Sequence, residues 1–427
     1  MYKKYLVRPI FKGFDQDKPS ITQDIGSSDW SSQNFKIEQN NPQKRNGYLE
    51  YRDFGAGVDV QRIVYYQNSA GNTYTIVLTD TNAIKVEPAG TWSFITEKYS
   101  TGSISGIVGT AVTGSSSGWA TGTNNPAAGD YFVMDDDLDA DAEPDATWTK
   151  IDSTDSDTGV TLVDSYEGAT ASGDYTVRQV YTVPDNERWT WAIVNDVLYF
   201  TNGDTNLQAW SGTGNSAEVD ATYAKQPRYC LEYADRLLIS DLYSGSDRKP
   251  YRVQWSKNND PTDWTDSTAG SVDLMDTEDV ITGLGKVGAN LVVFKSDSMI
   301  FGNRTGSSTA PIQFVRQRPG IGTPAPYSIV HFEGTCAFIG RNDFYMIDGE
   351  SPVSIGKDIR NRFFDLVNPT ELKRAFGGVN TLEKQIRWLV TDEDNTRRAF
   401  VYNYKYQTWT HNVYADNMSC FGKGEVS

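Results

Sequence analysis

Short apolar runs alternate with polar turns along most of this 427-residue chain. In one stretch Cys336–Phe338 and Phe344–Ile347 are β-prone runs separated by the polar Gly340–Asp343, which predicts two strands joined by a turn. The same unit recurs over Thr73 to Trp92, Leu198 to Trp210, Arg236 to Trp255, Leu291 to Gly302 and Glu383 to Trp409. Apart from one large gap, the units return at roughly 40–50 residues, the range of a four-stranded propeller blade. Trp92, Trp210, Trp255 and Trp409 each close or follow a unit and are expected to anchor neighbouring sheets. The fold class expected is all-β, a β-propeller of six to eight blades, with a pair of β-sandwiches as the alternative.

The gap, residues 100–178, is rich in Gly, Ser and Asp, with short alternating strands between turns. It predicts a small all-β domain inserted into a loop of the larger one. Residues 1–99 are then an N-terminal arm and the first blade or blades, and residues 179–427 the rest. One helix is expected near 359–367, because Ile359, Phe363 and Val367 fall at i, i+4 and i+8 between Asp358, a candidate N-cap, and Pro369. It is placed on a rim between the last two blades.

Composition narrows the function. An aromatic share of 12%, with 24 Tyr and 11 Trp beside 37 Gly, suits strands and tight turns. No apolar run approaches the ~18 residues of a membrane span, and the opening MYKKYLVRPIFKGF lacks the apolar core of a secretory signal. A formal net charge of −17 argues against a broad basic grip on nucleic acid. Cys230, Cys336 and Cys420 lie far apart in strand-like runs, as small buried hydrophobes would.

Catalytic motifs do not assemble. The two histidines, His331 and His411, both sit in strand-like contexts, and no G-x-S-x-G elbow exists for a serine nucleophile. GLGKVGAN, Gly283 to Asn290, has the wrong spacing for a P-loop. The acidic run Asp135 to Asp145 lacks the glycine and terminal glutamate of an EF-hand and reads as a solvated loop. Propeller glycosidases use paired carboxylates, but a sialidase-like site also needs clustered arginines, and Arg341, Arg360, Arg362 and Arg374 fall in turns and the helix. No enzyme activity, cofactor or metal is expected. Glycan binding or hydrolysis is the alternative function.

Four segments, in order, resemble the β-propeller tail hub or nozzle proteins of short-tailed bacteriophages, including the packaged-DNA stabilisation proteins. They are the Pro-containing opening from Phe11 to Tyr51; the W-S-x-x-x-D-P-x-x-W segment with Trp255, Asp260, Pro261 and Trp264; the G-R-x-D-F-Y-x-x-D-G segment with Arg341, Asp343, Phe344, Tyr345, Asp348 and Gly349; and the closing V-Y-N-Y-x-x-x-x-W with Tyr402, Tyr404 and Trp409. The inserted span resembles small β modules of phage tail proteins.

The resemblance implies a structural virion protein of the tail, assembled in the host cytoplasm as a homo-oligomeric ring, a hexamer. Such a ring lies below the portal and adaptor, continues or closes the DNA ejection channel, and docks a needle, fibre or spike. Genomic DNA would pass without tight binding. The basic arm bearing Lys3, Lys4, Arg8 and Lys12 is expected to close the propeller by pairing with a final strand in MSCFGKGEV, or to dock on an acidic neighbouring subunit.

Overall fold

The computed structural model describes residues 59–422 apart from 87–91, 122–124, 139–147, 350, 395 and 414–417. It also describes the backbone of four short strands, Gly13–Phe14, Ser27–Ser28, Phe35–Glu38 and Asn41–Lys44. Six four-stranded antiparallel sheets form a six-bladed β-propeller. Each blade is contiguous in sequence, and the inner strands are Val60–Gln67, Thr190–Val194, Tyr229–Tyr233, Ile281–Val287, Val330–Phe332 and Phe376–Asn380 in blades 1 to 6. The six hairpin units of the sequence fall on the second and third strands, one unit per blade. Those strands are written most plainly because both faces are covered by neighbouring blades, as in Leu291–Phe294, which is buried throughout.

Tight turns join the inner strand to the second. Asn195 and Asp196 both take positive φ, as do Ala234 and Asp235, and Glu333 and Gly334, which is the two-residue turn that matches strand twist. Apolar clusters fill the gaps between blades. Val64, Ile76, Trp189, Phe200 and Trp210 join blades 1 and 2, and Ile339, Phe344, Trp388, Phe400 and Trp409 join blades 5 and 6.

Helix α1, Arg360–Leu366, lies in the second of these clusters. Ile359, Phe363 and Val367 are all buried there, and the Phe363 ring is 4.6 Å from Phe344 and 4.8 Å from Phe400. The expected cap at Asp358 is corrected: Ile359 is the N-cap and no side chain caps the helix, because a turn enters it through Arg360 N–H donating to Gly356 C=O.

Residues 98–178 form a separate seven-stranded sheet with its own core, including Trp119, Phe132, Ile151 and Tyr175. The two ends of this span are partners, Lys98 opposite Arg178 and Tyr99 opposite Val177, so it leaves and re-enters the propeller at one place between blades 1 and 2. Its root is tied to blade 2, where Glu97 accepts from Gln208 Nε2 at 3.1 Å and Ser216 N–H donates to Ile95 C=O.

The expected pairing of the basic arm bearing Lys3, Lys4, Arg8 and Lys12 with MSCFGKGEV lies outside the described residues, except for residues 418–422. Gly13–Phe14 and Phe35–Glu38 lie beside Thr408–Val413, the outer strand of blade 6. Residues 418–422 form no strand but cross between blades 6 and 1, where Ser419 Oγ donates to Val60 C=O and Phe421 packs on Gly378. A Cβ at Gly378 would lie 2.8 Å from the Phe421 Cβ, so the position needs glycine. The rest of MSCFGKGEV, and most of the Phe11 to Tyr51 segment, lie outside the described residues.

Candidate functional site in the axial channel

The motif residues do not converge on one site; they tie blades together. Trp255 ends the third strand of blade 3 in the core shared with blade 4, while Trp264 turns back into the core shared with blade 2. Between them Asp260 accepts from Thr262 Oγ1 at 2.8 Å and Lys257 reaches Asp263 at 3.3 Å, with Pro261 buried beneath. The loop fixes the distance between two tryptophans that serve opposite faces of one blade.

Asp343 has a comparable role in blade 5. Its Oδ1 accepts from Phe344 N–H at 2.8 Å, and its Oδ2 accepts from Ser354 Oγ at 2.6 Å and Arg360 Nη1 at 3.1 Å. Two strands and α1 are thereby held by one carboxylate. Phe344 is fully buried, Tyr345 stacks on Phe338 at 5.5 Å, and Arg341 reaches Asp297 of blade 4 at 2.6 Å. Asp348 and Gly349 make the exposed turn that follows, with Gly349 at φ 96°. In blade 6 the Trp409 indole donates to Ile355 C=O at 2.8 Å and lies 4.9 Å from the Tyr402 ring. Tyr404 packs on Phe332 of blade 5 at 4.8 Å.

The two histidines are apart, His331 on the inner strand of blade 5 and His411 on the outer strand of blade 6. Burial, with Arg398 nearby, pulls the His411 pKa down to about 4, so the ring is neutral at physiological pH. His331 faces the channel; loss of hydration against the walls, with Lys286 and Arg62 adding like charge, pushes its pKa down. Because its channel side is exposed, that push is partial. Of the acidic run, Asp135–Asp137 form one 3-10 turn, in which Asp135 accepts from Thr176 and Asp137 from Tyr166 and Thr170. Among the described residues no group of His, Cys, Asp and Glu is arranged to hold a metal, and Asp139 to Asp145 lie outside them.

What the structure does bring together is the wall of the central channel, a cavity of about 810 Å³ lined by all six inner strands. At the end where those strands finish, Lys286 pairs with Glu232 at 2.5 Å and Lys384 with Glu333 at 2.5 Å. The end where they start is built differently. Arg62 and Arg188 both lie against the ring of Phe376, their Cζ atoms 4.6 and 5.3 Å from its centre. Burial, with the like charge of Arg188 beside it, lowers the Arg62 pKa to about 10. Beside them Glu187 accepts from Tyr327 at 2.6 Å and pairs with Arg228 at 3.0 Å; Arg228 also pairs with the buried Asp241 at 2.8 Å, which Arg248 holds at 2.7 Å.

These arginines are not the ones the sequence brought forward. Arg341 and Arg360 are committed to Asp297 and Asp343, and Arg374 to Glu371. The available signal was weak: a charged residue within the strand VQRIVYYQ, and the pair Glu187–Arg188 just before the inner strand of blade 2.

No family model matches the chain, and no curated protein matches it. Solved structures are similar at low identity. The computationally designed Ika8 protein shares 8% identity at a TM-score of 0.40, over 87% of this chain and 92% of that one. Hsv2 of Kluyveromyces lactis shares 10% at 0.34, over 84% and 98%, and the periplasmic gluconolactonase PpgL of Pseudomonas aeruginosa shares 12% at 0.34, over 74% and 82%. The fold is read from the six sheets themselves. No helix among the described residues is long and apolar enough to cross a membrane.

Proposed function

We propose that the chain is a structural subunit of a short-tailed phage tail, a propeller disc that assembles as a six-membered ring below the portal and adaptor and docks distal tail components. The observation that carries this reading is the use made of the motif residues: Trp255, Trp264, Asp343, Phe344, Tyr404 and Trp409 each brace the contact of a blade with its neighbours or with α1. Residues so used make a stiff wedge, which is what a ring subunit needs. The channel volume adds a constraint. A cavity of 810 Å³ falls in the roughly 300–1,000 Å³ range of a small-molecule site. A duplex does not thread one propeller, so genomic DNA would pass between subunits, past surfaces that a net charge of −17 keeps from gripping phosphates.

Cryo-electron microscopy of particles that contain the protein tests this. A ring of six propeller-sized densities around the tail axis is expected. Particles without such a ring, together with free protein that stays monomeric at every salt and concentration, would overturn it.

A further inference from the structure

Among the described residues, two buried cations show how this fold supplies oxygen partners. Lys295 is fully buried, and it meets Asp279 at 3.0 Å and the carbonyls of Leu274 and Thr277 at 3.2 and 3.1 Å. Arg236 is 2% exposed and donates to the carbonyls of Ser256, Thr268 and Ser308. Arg62 and Arg188 are treated otherwise. Neither has an ion pair among the described residues, although both pack on the Phe376 ring. Arg62 spends Nε on the Trp189 carbonyl at 3.1 Å, and its two terminal nitrogens have no protein acceptor there. Arg188, 4% exposed, donates from Nη1 to Gln61 at 3.3 Å, while its Nε is buried without an acceptor.

The nearby carboxylates are occupied. Glu187 is held by Tyr327 and Arg228, and Asp59 by Gln61. Arg188 is out of water and is linked to the Asp59 carboxylate only through Gln61, whereas Arg62 is partly buried and keeps its terminal nitrogens accessible, so an anion would find an open guanidinium there. Arg62 forms part of the channel wall, so an anion in the channel reaches it directly.

We propose that the Arg62–Arg188 end of the channel binds a small organic carboxylate, of the size and kind of an acidic monosaccharide. A guanidinium presents a planar fork that matches the two oxygens of a carboxylate; Arg62 offers it at the channel wall, and Arg188, packed on the same Phe376 ring, adds positive charge nearby. The rest of the ligand lies along a wall containing the partly exposed Trp191 and Tyr65, aromatic side chains suited to the apolar side of a sugar ring. Phosphate fits less well, because its several strongly charged oxygens call for more donors than this end supplies. The inference does not rest on the ring assembly: a monomer would carry the site as well as a hexamer.

The test uses the full chain, followed by thermal shift and by tryptophan fluorescence, which reports on Trp191 in the wall. Glucuronate, glucose and inorganic phosphate are compared at equal ionic strength. Saturable binding of glucuronate is expected, with none for glucose and little for phosphate. Arg62→Gln should weaken glucuronate binding by about tenfold or more while leaving the ligand-free melting temperature little changed, since Arg62 is partly exposed and has no ion pair among the described residues. Arg62→Lys, which keeps the charge but not the fork, should bind more weakly than wild type and better than Arg62→Gln. No saturable glucuronate binding, equal binding of glucose, preferential binding of phosphate, or unchanged binding in Arg62→Gln would each overturn the proposal.

Discussion

Removing the Asp343 side chain should be among the most damaging polar substitutions in the propeller, and the structure says how the loss divides. In Asp343→Ala the Phe344 N–H, in a fully buried residue, loses its acceptor, which costs about 1–3 kcal/mol. The bond from Ser354 Oγ is charge-assisted and adds about 1.5–3 kcal/mol. Arg360 adds little, since its side chain is 45% exposed and such pairs contribute about 0–1 kcal/mol. The expected total for Asp343→Ala is about 3–5 kcal/mol. Asp343→Asn retains an oxygen for Phe344 N–H, so about 1–2 kcal/mol is expected, and Arg360→Ala should cost less than about 1 kcal/mol. Urea titration followed by tryptophan fluorescence measures this directly, because Trp388 and Trp409 pack against Phe344 at 5.1 and 4.7 Å. If Asp343→Ala were no worse than Arg360→Ala, the carboxylate would act through its ion pair alone and the strand-stapling account would be wrong.

Replacing the span between Lys98 and Arg178 by a two-residue Asn-Gly turn should leave a cooperatively melting propeller, since those residues are already cross-strand partners; aggregation, or loss of the β signal in circular dichroism, would show that the insertion is needed for the blades to fold. Burial raises the Glu97 pKa from 4.5 to about 7, so the folded chain holds a proton that the unfolded chain has released, and stability from this group is full below about pH 4.5 and lost as pH rises through 7. Glu97→Gln should therefore gain stability over wild type between about pH 5 and about pH 8 in denaturant titrations, and a difference that is flat with pH would refute the assignment. His411 has the opposite sign: its pKa falls from 6.5 to about 4, so its contribution is full above 6.5 and lost as pH falls toward 4, and His411→Gln should flatten the acid limb of the stability profile. Self-association of the free protein should strengthen with salt, because screening over a Debye length of about 10 Å at 0.1 M relieves repulsion between subunits of charge −17; light scattering that weakens with salt would point to attractive charge contacts instead.

The propeller was legible because its strongest signal is local. Strands buried on both faces need unbroken apolar runs, and LVVF, LLIS and CAFI declare themselves without reference to the rest of the chain. The inner strands were harder to see, since one side faces the channel: in Phe376–Asn380 two glycines replace the expected apolar pattern because Val330 and Phe421 press close to the backbone. The helix was legible from the spacing of Ile359, Phe363 and Val367, whereas its cap was not, because a turn starting at Gly356 supplies the entry that Asp358 was expected to provide. How the ends of the chain sit could not be read either, since packing of residues 418–422 against Ile63 and Gly378 depends on groups more than three hundred residues and about forty residues away in sequence, respectively.

The channel end shows a different limit. Arg62 and Arg188 come from neighbouring blades, separated in the chain by the whole inserted sheet, and no spacing rule joins them. Each is unremarked in its own segment, and it is the shared Phe376, from the last blade, that makes them one feature. A propeller creates such places by construction, because every blade delivers one inner strand to the axis, and residues brought to the axis together share a cavity however far apart they are in sequence. The charge pattern then separates scaffold from site. Lys295 is held by a carboxylate and backbone carbonyls from the segment leading into its own blade, whereas Arg62 and Arg188 meet on a ring from the last blade and have no ion pair among the described residues, and the proposed anion site lies there for that reason.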